Sequence, residues 1–112
     1  MNSVVLSGRL TRNIELKETS GGSVFTRFSI AVDKYSKDKS KTAIFVDCIA
    51  FNYQANFLNK YCRRGQKVII SGELDVRNVD GDDGKQTRYW SVVVNQVEAE
   101  KPITTDEQPF EM

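Results

Sequence analysis

The sequence predicts an all-β fold, a five-stranded closed barrel with one helix between strands three and four. Three observations lead there. Five stretches read as strands, and two of them, 23–33 and 43–51, carry apolar residues at a period of two. One stretch, 52–64, repeats at helical spacing instead. The pattern aliphatic-Ser-Gly-x-Leu occurs twice, as Leu6-Ser7-Gly8-Arg9-Leu10 and Ile70-Ser71-Gly72-Glu73-Leu74. Glycine inside a strand marks a bend or bulge, and two strands bent this way suit a small, strongly curved barrel.

The first strand is predicted over 3–10. Val4 and Leu6 point one way and Val5 the other, because successive side chains alternate faces. Apolar residues on both faces predict that the second face is covered as well, by another subunit. Thr19-Ser20-Gly21-Gly22-Ser23 reads as a turn. The second strand follows over 23–33. Val24, Phe28, Ile30 and Val32 share one parity there, while Arg27, Ser29 and Asp33 take the other.

A loop over 34–42 carries Lys34, Lys37, Lys39 and Lys41, with Tyr35 at its edge. The third strand is predicted over 43–51. Its inward set is Ile44, Val46, Cys48 and Ala50, and its outward set is Phe45, Asp47, Ile49 and Phe51. Ala55, Leu58, Tyr61 and Cys62 then recur at helix spacing over 52–64, with Asn52 as the starting cap and Gly65 as the stop. Strand four spans 66–79, residues 79–85 make a hairpin turn, and strand five spans 86–98. Three strands, a helix and two strands is the order of the five-stranded oligonucleotide-binding (OB-fold) barrel.

Charge divides the chain. Its 112 residues carry a net charge of +1, but residues 1–100 sum to +3 and residues 101–112 to −2. This predicts a weakly basic domain over 1–100 and a short, acidic, disordered tail over 101–112, where Pro102 and Pro109 interrupt a polar run. The two cysteines, Cys48 and Cys62, fall in apolar settings and are too few for a disulfide scaffold or a zinc site. No apolar run approaches the roughly 18 residues that cross a bilayer, and no signal peptide opens the chain, so a cytoplasmic protein is expected.

Catalysis is not expected. The chain has no histidine, the commonest general base and metal ligand. It shows no phosphate-binding loop, zinc spacing or nucleophile elbow. Asp80, Asp82 and Asp83 mimic a calcium loop, but Ser91 stands where the twelfth-position glutamate belongs. No cofactor and no metal are expected. A lysine-rich loop beside Tyr35, Phe45 and Phe51 suits instead a flexible polyanion with flat bases, which is single-stranded nucleic acid. Trp90 reads as a packing residue.

The chain resembles the bacterial and phage single-stranded DNA-binding proteins over nearly all of residues 1–100. The resemblance rests on Val4 to Thr11, Glu15-Leu16, Phe28 to Val32, Phe45 to Phe51, Arg64-Gly65-Gln66, and Ile70 to Leu74 with Arg77. It implies base stacking on Tyr35, Phe45 and Phe51, and phosphate contacts from Arg9, Arg64 and Arg77 joined by Lys34, Lys37, Lys39 and Lys41. Val79 stands where the family usually has an aromatic. The resemblance further implies a homotetramer, with a dimer as the alternative, acting in DNA replication, recombination and repair.

Asp106, Glu107, Pro109 and Phe110 are similar to the acidic tip through which such proteins recruit replication and repair partners, although Glu111 and Met112 follow. The short tail resembles phage or mobile-element versions of the family. The alternative to a strand-coating protein is an OB-fold adaptor of the primosome kind, acting mainly through protein contacts. An RNA-binding, cold-shock-like barrel is the third reading.

Overall fold

The computed structural model describes residues 1–35, 37 and 41–100. Its strands are β1 (Val4–Leu10), β2 (Lys17–Glu18), β3 (Val24–Tyr35), β4 (Lys41–Phe51), β5 (Lys67–Asp80) and β6 (Gln86–Ala99), and its helix is α1 (Asn52–Tyr61), between β4 and β5. The sheet order is β1-β5-β6-β4-β3-β2, and a further β1–β3 pairing closes five of the strands into a barrel. β4 and β6 run parallel through Cys48–Val92 and Ile49–Val93; the other pairings are antiparallel. This is the OB-fold barrel expected from the element order.

Closure depends on the two glycines. β1 pairs with β5 up to Arg9 and passes to β3 at Arg9 and Leu10, just after Gly8. A Cβ on Gly8 would lie 2.7 Å from the Ala31 carbonyl oxygen. At Gly72 a Cβ would overlap the Val93 carbonyl oxygen, and the β5–β6 register shifts between Ser71 and Gly72. That shift is a bulge, which bends the strand and adds twist.

Inward parity follows the predicted pattern except at Ile44, which is 46% exposed where β4 pairs with β3 alone. Phe28, Ile30, Cys48, Ala50, Val68, Ile70, Val92 and Val94 fill the interior. Ala55 and Leu58 of α1 are fully buried in the same cluster. Thr26 is buried too, and its hydroxyl is without a hydrogen-bond partner among the described residues.

The structure corrects several boundaries. The two-residue β2 was not expected, since so short a strand carries no periodicity. β3 and β4 extend four residues of pairing beyond Ala31–Phe45, down to Tyr35–Lys41, so residues 34, 35, 41 and 42 of the predicted loop are strand. Helix α1 ends at Tyr61 rather than residue 64, because Cys62 is already extended. The Arg63 guanidinium donates to the Asn59 and Cys62 carbonyls there, and Gly65, at φ +86°, belongs to the next turn. Asn52 does not cap α1: its side-chain oxygen accepts from the Val24 N–H instead.

Candidate nucleic-acid interface

The outward side chains of four strands meet on one face of the barrel. Register places Phe25, Arg27 and Ser29 of β3 opposite Phe51, Ile49 and Asp47 of β4. Ile49 neighbours Val93 of β6, and Asp75, Arg77 and Val79 of β5 pair with Ser91, Tyr89 and Thr87. A cleft of about 520 Å³ opens over this surface. Arg12, Arg27 and Arg77 line it together with Phe51, Tyr89 and Trp90, and Asp47 and Asp75 bring two carboxylates.

Its aromatic floor is built in layers. The Phe51 ring packs against Phe25 with centroids 6.2 Å apart, and the Arg27 guanidinium lies 6.0 Å over the Phe25 ring. Phe51 is therefore held in place while staying 39% exposed. Tyr89 and Trp90 are 56% and 54% exposed. Arg12 reaches the Arg27 carbonyl at 3.4 Å, which keeps β1's continuation beside the cleft. Flat rings hold stacked bases, and guanidinium groups attract phosphates while tolerating an aromatic neighbour.

The expected site residues separate into groups. Phe51 and Arg77 line the cleft. Phe45 does not line it, but stands 70% exposed on the same outward face of β4. Lys34 and Lys37 are exposed around the β3–β4 arm. Tyr35 and Lys41 form the last pair of that arm, with side chains outside the described part; Lys39 lies outside the described residues.

Arg9 and Arg64 sit elsewhere. Arg9 borders a separate small cleft and donates to the Gly65 carbonyl at 2.9 Å. Arg64 is exposed in the turn after α1, where its N–H meets the Asn13 side chain. Asp106, Glu107, Pro109 and Phe110 lie outside the described residues.

Sequence reasoning missed Arg12, Arg27 and Tyr89 as cleft residues. Parity alone marks Arg27 as outward. Tyr89 required the β5–β6 register, which sets it opposite Arg77. Trp90 is corrected from packing residue to half-exposed cleft wall. It pairs with Val76 on the part of the β5–β6 ribbon that projects past the core, so inward parity no longer means burial there.

Buried Cys48, beneath this face, has its thiol pushed up from 9.0 to about 12, by burial first and the Asp47 charge second. Cys62 is raised to about 11 by burial, with Arg63 opposing. Both thiols are free and buried. Among the described residues, no helix is long and apolar enough to cross a membrane.

The same barrel occurs in a solved structure, a Plasmodium falciparum SSB complex with ssDNA. The likeness has a TM-score of 0.78 at 18% identity and covers 92% of this chain and 95% of that one. The likeness is one of fold, the OB-fold barrel. The chain matches the Single-strand binding protein family over residues 1–99, and it belongs to that family.

Two curated relatives are similar over most of the chain. A single-stranded DNA-binding protein of Fusobacterium nucleatum is 44% identical over 102 residues, covering 88% of this chain and 66% of the relative. One from Clostridium tetani is 38% identical, covering 87% and 68%. The chain thus spans about two thirds of the length of these relatives.

Proposed function

We propose that this protein binds single-stranded DNA with little sequence preference, coating strands exposed in replication, recombination and repair. The observation that carries the reading is one cleft in which Arg12, Arg27 and Arg77 surround Phe51, Tyr89 and Trp90. Family membership and relatives named single-stranded DNA-binding proteins support it. Bases stack on Phe45, Phe51 and the cleft rings, and the strand continues along the arm past Tyr35. Phosphates meet the cleft arginines and the lysines 34, 37, 39 and 41. Arg9 and Arg64, on another part of the surface, extend the path for a wrapped strand. The protein is a binder, not an enzyme, and works in the cytoplasm.

The binding domain spans 1–100, and its assembly is a homotetramer. β1 supports this. Residues 4–8 pair with β5 alone, so one strand edge stays open, and Val5 beside it is 67% exposed. An open edge with an exposed apolar side chain favours pairing with another copy. Asp106, Glu107, Pro109 and Phe110 of the tail recruit replication and repair proteins.

Competition between oligo-dT and duplex of equal length tests the binding reading. A strand-coating protein takes the single strand over the duplex. Equal, weak binding to both is the result expected of an OB-fold adaptor. Light scattering tests the assembly: a monomer at micromolar concentration contradicts it.

A further inference from the structure

The carboxylates in the cleft are unexpected for a surface that holds phosphates. Asp47 has the more telling place. The outward face of β4 reads Phe45, Asp47, Ile49, Phe51, so a negative charge stands between two exposed rings. At about 3.3 Å per residue, Asp47 lies roughly 7 Å from Phe45 and 13 Å from Phe51 along the strand. A base stacked on Phe45 brings its edge to the Asp47 carboxylate.

The surrounding polar groups are occupied with one another. Ser29, the cross-strand partner of Asp47, shares its hydroxyl with Thr11 at 2.7 Å. The Arg27 carbonyl takes a hydrogen bond from Arg12. Among the described residues, none hydrogen-bonds or ion-pairs with the Asp47 carboxylate. Its acceptor capacity faces the cleft that it lines.

A carboxylate repels phosphates, so a strand in this cleft runs its backbone along the arginines and turns its bases toward Asp47. Ionised aspartate only accepts hydrogen bonds. Cytosine, adenine and guanine each offer an exocyclic amine, and a carboxylate accepting from the cytosine amine is an established pairing. Thymine presents its single N–H between two carbonyl oxygens, which the carboxylate disfavours. We infer that Asp47 reads base edges and biases the cleft toward amine-bearing bases over thymine. The inference rests on the cleft being the single-strand site, and it qualifies the sequence tolerance of that site without abolishing it.

The test compares oligo-dC and oligo-dT of equal length, bound by the wild-type chain, Asp47→Asn and Asp75→Asn. Asn keeps the size of Asp and adds a donor for the thymine carbonyl, so folding is expected to survive, as a melting curve verifies. The expected result is a fall of roughly 5-fold or more in the dC-to-dT affinity ratio for Asp47→Asn, mainly through tighter dT binding. Asp75→Asn removes the same charge from β5 and is expected to strengthen both oligomers alike, leaving the ratio unchanged. An unchanged ratio in Asp47→Asn, or an equal change in both variants, reduces Asp47 to a bare charge and overturns the inference. A wild-type chain that binds neither oligomer overturns the reading beneath it as well.

Discussion

Gly72 and Val93 approach so closely that any side chain at position 72 would occupy the space of the Val93 carbonyl oxygen. The contact sits at the bulge where β5 bends toward β6, so the barrel's closure and the cleft's curvature share one cause. Gly72→Ala is expected to cost more than about 3 kcal/mol, or to leave the chain insoluble. Gly21→Ala, in a turn whose nearest neighbour would be 3.9 Å away, is expected to stay within about 0.5 kcal/mol of wild type. Urea denaturation of the pair checks both.

Stacking and charge are separable at Phe45 and Arg77. Phe45→Ala removes an exposed ring, so it is expected to weaken oligo-dT binding by roughly 1–3 kcal/mol without altering thermal stability. Arg77→Gln is expected to lower the slope of log K against log salt by about 0.7, the contribution of one phosphate on a single strand. Isotherms at several salt concentrations distinguish the two effects.

Thr26 offers a gain in stability. Its buried hydroxyl lacks a hydrogen-bond partner among the described residues. Valine has nearly the same shape and removes the stranded polar group. Thr26→Val is expected to stabilise the fold by about 1 kcal/mol or more, read as a higher denaturation midpoint with an unchanged slope.

Much of the fold was legible because the signals were local. Gly8 and Gly72 announced the bends through their repeated context, and the parity of Phe45 and Phe51 placed them outward correctly. What stayed hidden was set by pairing between distant segments. Arg77 meets Tyr89 only once the 81–85 turn and the Gly72 bulge fix the register. Arg12 belongs to no regular element and reaches the cleft by a bond to Arg27. The helix end was misplaced because Arg63 and Arg64 resemble a basic last turn, whereas Arg63 caps carbonyls from beyond it.

Alkaline pH is expected to weaken the fold through its thiols. Folded Cys48 and Cys62 hold their protons to about 12 and about 11, against 9.0 ordinarily. Between 9.0 and those values the folded state binds more protons than the unfolded one, so stability falls as pH rises through that window. Below it both states are protonated and the effect is absent. Denaturation midpoints at pH 8 and pH 10 are expected to differ less in a Cys48→Ala/Cys62→Ala chain than in wild type, since other ionising groups cancel in the comparison.

The most direct test uses the single tryptophan. Trp90 lies half-exposed in the cleft, so its emission reports on what enters there. Titration with oligo-dT is expected to quench it to a sharp, saturable end point, with affinity falling as salt rises. Emission that stays unchanged while oligo-dT is added at low salt would contradict the assignment of this cleft as the single-strand site.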